Sequence, residues 1–519
     1  MKTKVRLLDR PVPFHLLLAP LTLPLALISA NLNLFPPSAA LWSIAVGWAL
    51  VLILWLVLTR ITMNARTSAL VITLMTFGFI VDFIIDSVAG RASPAAALLM
   101  WSALLGLSVV VVRFGREART VTVCANTFFL IVCASYCLNI GLFELTYPRP
   151  IAASRYLEAL PVEATRPAAA FPDVYVFVLD GYGRADVLRG IYGYDDSLVR
   201  RLRVAGFYVA DAASSNYAWT ALSLASSLNL DYLPALIDRV PSDSDSREAC
   251  QTLITVNRTF RALTRAGYRI VTFGSEYSML QFDGVNREYR PRFYLTDFGY
   301  GLYEASALPR FSGLIGLPRS WLPHQLRRHT IQWTLARLSK GDLVDDERPT
   351  LVFAHILLPH PPFVFRADGT YTWTQFPGLL NEGDAWRAHQ RAETESYETG
   401  YVGNLQFLGD RMSAIIEGIL LRARRPTAIL IQGDHGPGSR LALNDPVASD
   451  MKERLGILLA MRLPDGEQSG LYPTMTPVNA MRLLLNHAVG TRLPQLEDRA
   501  WFSTWLRPYA FEDVTARVR

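Results

Sequence analysis

Five apolar stretches, residues 13–30, 39–58, 68–88, 95–112 and 121–143, dominate the first part of this 519-residue chain. A helix rising about 1.5 Å per residue needs about 20 such residues to cross the hydrocarbon core of a bilayer. One stretch of this kind can be the buried helix of a soluble protein; five in succession, with short polar turns between them, specify a five-helix membrane domain. Lys2, Lys4, Arg6 and Arg10 precede the first stretch, Arg60 and Arg66 follow the second, and Arg113, Arg116 and Arg119 follow the fourth. The alternate loops hold Arg91 alone. The Lys/Arg bias therefore puts the N-terminus in the cytoplasm and everything after residue 143 outside. The first stretch also has the outline of a signal peptide, with a basic start and small residues at Ser29 and Ala30. Its removal would leave the remaining topology unchanged.

Charge divides the chain at the same place. Residues 1–143 carry ten Lys/Arg against four Asp/Glu, which is the whole net charge of +6, and residues 144–519 balance at 41 against 41. A nucleic-acid binder carries a basic stripe on its soluble part, and this balance gives none, so no nucleic-acid partner is expected. Cys124, Cys133 and Cys137 fall in the fifth stretch and Cys250 stands alone outside, which excludes a disulfide framework and a cysteine-rich zinc site.

Residues 144–172 are rich in Pro and Ala and read as a semi-rigid connector, with "AASRYLEAL" as a short helix on the membrane surface. From residue 173 to 519 the pattern becomes strand–helix alternation. The runs "VYVFVL" (174–179), "YRIVTF" (268–273), "LVFAHI" (351–356), "AILIQG" (428–433) and "LGILLA" (455–460) are separated by helical segments such as 250–266 and 397–422. Continuous apolar strands between helices predict an α/β domain with a mostly parallel sheet covered on both faces. Ligands in such sheets bind beyond the carboxyl ends of the strands. Thr476 as N-cap, Pro477 behind it and Gly490 as stop mark a late helix.

Two of those strand ends carry chemistry. "VYVFVL" runs into Asp180-Gly181, and "AILIQG" into Asp434-His435-Gly436. Carboxylate and imidazole together suit zinc or manganese, although Asp-Gly at a strand end also reads as plain turn chemistry. In "TALSLASSLNL", Ala221, Leu224, Ala225 and Leu228 make one apolar helix face, and Thr220, Ser223 and Ser227 line another. Thr220 thus opens an amphipathic helix, either as a cap or as a hydroxyl at a helix N-terminus that suits phosphate or an oxyanion.

The segments "VFVLDGYGRADVL", "NYAWTALSLASSLN", "FAHILLPHPPFVF" and "LIQGDHGPGSR", in that order after five spans, resemble the sulfatase-like branch of the alkaline phosphatase superfamily. Within it the likeness is to membrane-anchored lipoteichoic acid synthases and phosphoethanolamine transferases; "TPVNAMRLLLN" resembles the C-terminal part of sulfatase-like bacterial membrane proteins. The resemblance implies that Thr220 is the nucleophile, followed at the family's spacing by Ser223-Leu224. It further implies that Asp180, Asp434 and His435 are ligands of a divalent metal together with Thr220, and that His360 is a catalytic histidine near the substrate phosphate or a second metal. Asn216 and Arg440 flank these residues as candidate phosphate contacts or as surface residues. Two departures stand out. Transferases of this group commonly have Glu where this chain has Asp180, and the histidine that often follows the Asp-His pair has no counterpart before His487. A formylglycine sulfatase is disfavoured, because threonine cannot be converted to that group and Cys250 in "EACQTL" lacks the required setting.

The implied activity is transfer of a phospholipid-derived headgroup, of phosphoethanolamine or phosphoglycerol type, to a glycan or lipid acceptor through a phospho-threonine. The site of action is the outer face of a bacterial plasma (inner) membrane. A hydrolase using water as acceptor and a catalytically silent membrane scaffold are the rivals. Among lesser candidates, Asp82 and Asp86 in the third stretch read as hydrated interfacial groups or as a seat for a lipid headgroup. His355 reads as a core histidine or a neighbour of the site, and His15 as an interfacial residue.

Overall fold

A computed structural model describes residues 12–88, 94–114, 118–146, 171–238, 240–318, 320–344, 347–372 and 396–519, with backbone alone at 82–88, 94–98, 112–114, 118–119, 314 and 465. Two compact units emerge: Met1–Arg149 with Phe298–Trp321, and Pro150–Asp297 with Leu322–Arg519.

The first unit contains helices α1 (His15–Ala30), α2 (Leu41–Thr62), α3 (Ala65–Val88), α4 (Pro94–Phe114) and α5 (Ala118–Thr146). Among the described residues, Pro37–Thr62 and Thr120–Thr146 are long and apolar enough to cross a membrane; His15–Ala30, Ala65–Val81 and Leu99–Val111 are shorter apolar helices. α2 turns Trp42, Leu50, Ile53, Leu54 and Val57 outward, a face suited to lipid. Polar ties join the helices inside. Asn139 Nδ2 of α5 donates to Ser29 Oγ at 2.8 Å, and His15 Nδ1 lies 2.6 Å from Thr73 Oγ1. His15 is thus fully buried between helices. The side chains of Asp82 and Asp86, and most of the connector with its expected surface helix, lie outside the described residues.

Residues 298–321 stand outside the expected division into 1–143, 144–172 and 173–519, because their contacts are with the helices. Phe298 packs with Ile28, Phe35 and Ala40, its ring 5.4 Å from that of Phe35. Phe311 meets Phe79 and Trp101 at 5.9 and 5.2 Å. A Cβ on Gly301 would come within 3.2 Å of Leu27, so glycine lets the segment approach α1 closely.

The second unit is built on a seven-stranded sheet ordered β2-β7-β6-β1-β5-β3-β4. Its strands are β1 (Asp173–Leu179), β2 (Tyr208–Val209), β3 (Arg269–Phe273), β4 (Arg287–Tyr289), β5 (Thr350–Ile356), β6 (Thr427–Gln432) and β7 (Leu459–Arg462). β1 pairs in parallel with β5 and β6, and β3 in parallel with β5 and β4; only β7 runs antiparallel to its neighbours. β1, "DVYVFVL", is buried along its whole length because both faces of the sheet are covered. Its side chains alternate with the pleat. Val174, Val176 and Val178 enter the core beneath the helices Thr220–Leu228, Glu248–Thr255 and Pro477–Val489, and Tyr175, Phe177 and Leu179 enter the core beneath Ser197–Val204 and Tyr397–Arg422. Each such burial contributes roughly 1.5–3 kcal/mol.

Three expected boundaries shift for local reasons. Within the run 455–460, Asp450 caps a helix Met451–Leu455 by accepting from Glu453 N at 3.0 Å, so β7 starts only at Leu459. The helical segment 250–266 is two helices, Glu248–Thr255 and Arg258–Arg265, since Asn257 caps the second by accepting from Phe260 N at 2.8 Å. Thr476 does occupy the N-cap of Pro477–Val489, and Gly490 stops that helix at φ 78°, but the Thr476 hydroxyl donates to Asp498 instead of capping.

Candidate active site

The central position of β1, between β5 and β6, brings three strand ends together. After Leu179 the chain presents Asp180 and turns at Gly181, whose φ of 75° is one that side chains disfavour. Gly181 N–H donates to Asp434 Oδ1 at 3.1 Å and its carbonyl accepts from Tyr401 Oη at 2.7 Å. Beyond β6, a Cβ on Gly433 would sit 2.6 Å from the Tyr182 carbonyl oxygen, so only glycine allows the two loops this approach. Beyond β5 the chain runs to His360, whose N–H donates to the Asp180 carbonyl at 3.0 Å.

Thr220 enters from the helix Thr220–Leu228. It is the first helical residue, as its sequence suggests, but Trp219 is the N-cap and no side chain caps the turn. The Thr220 hydroxyl lies 3.2 Å from His435 Nε2. The helix is not amphipathic in its setting: Ala221–Leu228 are all buried, and Ser223 lies within 3.4 Å of Ser215 Oγ instead of lining a polar face. Only Thr220 retains partial exposure.

The surrounding protonation pattern is directional. His435 Nδ1 is 2.9 Å from the Gly436 carbonyl and His360 Nδ1 is 2.6 Å from the Pro361 carbonyl, so each Nδ1 carries a proton and each Nε2 is left for other partners. His435 Nε2 then faces Asp434 Oδ2 at 3.4 Å and Asp180 Oδ1 at 3.6 Å. Those two carboxylate oxygens are buried and accept no hydrogen bond. Ligand atoms of Asp180, Asp434 and His435 all lie within 4.8 Å of one another. Lone pairs gathered in this way out of water are costly unless a cation lies among them. The donor set, two carboxylates and an imidazole with a hydroxyl alongside, fits a divalent ion. Burial alone would raise the Asp180 carboxyl, but His360, His355 and His435 outweigh it and hold the group well below the usual carboxylate range.

His355 adjoins the site, with Nε2 3.3 Å from Asp180 Oδ2 and Nδ1 3.1 Å from Ser275 Oγ. Two other candidates do not. Asn216 is buried outside the cavity lining, donating through Nδ2 to the Arg499 carbonyl (2.8 Å) and accepting Val478 N–H at Oδ1 (3.1 Å), so its side chain ties backbone segments together. Arg440 is exposed and faces Asp450 at 3.6 Å, outside the cavity lining. His487, the next histidine along the chain, pairs with Glu467 at 3.1 Å.

Asp180, Thr220, His360 and His435 share a cleft open to solvent with Trp219, Arg247, Tyr277, Arg454 and Trp505. The arginines and tryptophans escaped notice in the sequence. Arg454 ties the two loops of the site, donating from Nε to Ala218 O at 2.8 Å and from Nη1 to Gly436 O at 3.1 Å. Its only local signal is a charge next to an apolar run. Arg247 lies in the charged stretch "SDSDSREAC", which reads as solvated surface.

No model of a known protein family and no curated protein matches the chain. Among solved structures, similarity is found to the integral membrane lipooligosaccharide phosphoethanolamine transferase A of Neisseria meningitidis, at 13% identity over 89% of this chain and 76% of that one, with a TM-score of 0.39. The zinc complex of the periplasmic EptC domain from Escherichia coli is 11% identical over 68% and 96% of the two chains, with a TM-score of 0.40. A 2-O GAG sulfatase is 14% identical over 64% and 73%, with a TM-score of 0.37.

Proposed function

We propose that this chain is a multi-pass membrane enzyme that transfers a phosphorus-containing headgroup from a phospholipid to a hydroxyl of a glycan or another lipid. In this reading five helices span a bacterial plasma membrane, with the N-terminus cytoplasmic and residues 173–519 on the outer side. The donor class, of phosphoethanolamine or phosphoglycerol type, follows from the resemblance of the four motifs. One observation carries the chemistry: the Thr220 hydroxyl, at an uncapped helix N-terminus, lies 3.2 Å from His435 Nε2, and ligand atoms of His435, Asp180 and Asp434 lie within 4.8 Å of one another.

A zinc or manganese ion held by these three side chains and Thr220 would make the alkoxide accessible and offset phosphoryl charge. In the first half-reaction the Thr220 Oγ1–P bond forms as the P–O bond to the diacylglycerol oxygen breaks. The threonine proton passes to water, and protonated His360 gives one through Nε2 to the departing oxygen. In the second, His360 Nε2 takes the proton of the acceptor hydroxyl as it attacks phosphorus, and the threonine oxygen leaves and recovers a proton. The first-turn N–H groups of the Thr220–Leu228 helix would be offered to the phosphoryl oxygens as these gather charge.

Intact mass spectrometry of the detergent-solubilised chain, incubated with membrane lipids and zinc or manganese, tests this. The expected result is a headgroup-sized adduct on Thr220, absent in Thr220→Ala and discharged when acceptor is added. Discharge by water at an equal rate would mean a hydrolase. No adduct and no headgroup release, with cellular function intact in Thr220→Ala, would mean a scaffold.

A further inference from the structure

The cavity around Thr220 has a charge pattern that separates headgroups. Arg247 and Arg454 line it at 5% and 1% exposure, so both positive charges act through protein and not through water. Among the described residues lining the cavity the only carboxylate is Asp180, which already belongs to the proposed metal ligands.

An ammonium group is recognised by a carboxylate or by the face of an aromatic ring. Trp219 and Trp505 supply such rings here, in edge-to-face contact at 5.3 Å. Each already carries a cation: the Arg454 guanidinium lies over Trp219 at 5.1 Å and that of Arg247 over Trp505 at 4.4 Å. The arginines are also held in place. Arg454 donates to the Ala218 and Gly436 carbonyls, and Arg247 donates to Asp245 O at 2.6 Å and to the Trp505 carbonyl. A cationic headgroup entering this space would meet two fixed guanidinium charges and no available anion of the lining. An uncharged polyol or an anionic group meets favourable charge and apolar walls from Leu222 and Pro508.

We infer that the cavity selects a phosphodiester whose transferred group bears no positive charge, a polyol or anionic headgroup, and that Arg247 and Arg454 set this preference by excluding ammonium groups. The inference rests on the headgroup-transfer reading and narrows its donor class against ethanolamine and choline.

The test uses the full chain in detergent with zinc or manganese and two readouts. Equilibrium binding compares glycerol 3-phosphate, phosphoethanolamine and phosphocholine; turnover compares p-nitrophenyl diesters of the same three groups. Glycerol phosphate is expected to bind at least tenfold more tightly than either amine. Arg247→Gln should shrink that ratio while Arg247→Lys, which keeps the charge, should preserve it, in proteins of matching thermal stability. If Arg247→Gln fails to fold, the ratio in the unsubstituted chain and in Arg247→Lys still decides. Equal or tighter binding of phosphoethanolamine overturns the inference even where a Thr220 adduct forms. Selective binding without any turnover supports the inference while counting against the transfer chemistry.

Discussion

At the scale of single residues, the site is distinguished by atoms that lack something. Asp180 Oδ1 and Asp434 Oδ2 are buried acceptors without donors, 3.6 and 3.4 Å from His435 Nε2. A cation bound there stabilises the folded chain only, so chelation should lower its melting temperature; at free metal a hundredfold above Kd the loss is about 2.7 kcal/mol. Asp434→Asn should abolish this chelator response, checked by thermal scans with and without chelator. Thr220→Ala should cut turnover by on the order of 10³-fold or more with little change in melting. Asn216→Ala should behave in the opposite way, costing about 2–3 kcal/mol of stability through two lost backbone ties without specifically weakening phosphate binding. Asp180, Asp434 and His435 were legible because each follows an apolar strand. Asn216, Arg247 and Arg454 carry no local signal of their settings, because their surroundings are assembled from segments up to hundreds of residues apart.

At the scale of elements, the parallel sheet was legible from runs such as "VYVFVL", which are apolar on both faces as only a doubly covered strand can be. The setting of Thr220–Leu228 was not, since its serines are enclosed by helices supplied from residues 248–255 and 477–489. Between elements, Glu276 and Arg327 form a buried pair at 3.5 Å, and Arg327 Nη2 donates to the carbonyls of Leu357 and His360 at 2.7 Å, steadying the turn that carries His360. Burial, against the opposing charge of Arg327, pushes the Glu276 carboxyl up to about 7. The folded chain therefore binds more protons there than the unfolded one, and stability should fall as pH rises from about 4.5 to 7. Denaturant titrations across that window should show the slope in the unsubstituted chain and its loss in Glu276→Gln, whatever the absolute stability of the variant. An unchanged slope would mean that Glu276 is not its source. Gly436→Ala should fail to fold well, because its Cβ would collide with the carbonyl oxygen of Glu453.

At the scale of the whole molecule, hydropathy and charge predict a helical part and a balanced α/β part divided at the linker. Residues 298–321 do not follow that division, because their side chains complete the packing of helices that precede them by well over a hundred positions. Spatial boundaries and chain boundaries therefore disagree. A fragment cut at residue 171 for ease of purification would carry Phe298 and Phe311 away from Phe35, Phe79 and Trp101, leaving a greasy strip with nothing to cover it. The complementary fragment ending at residue 149 would miss part of its own interior. Splitting this chain at its obvious linker should thus yield two incomplete pieces, each prone to stick to detergent or to the other.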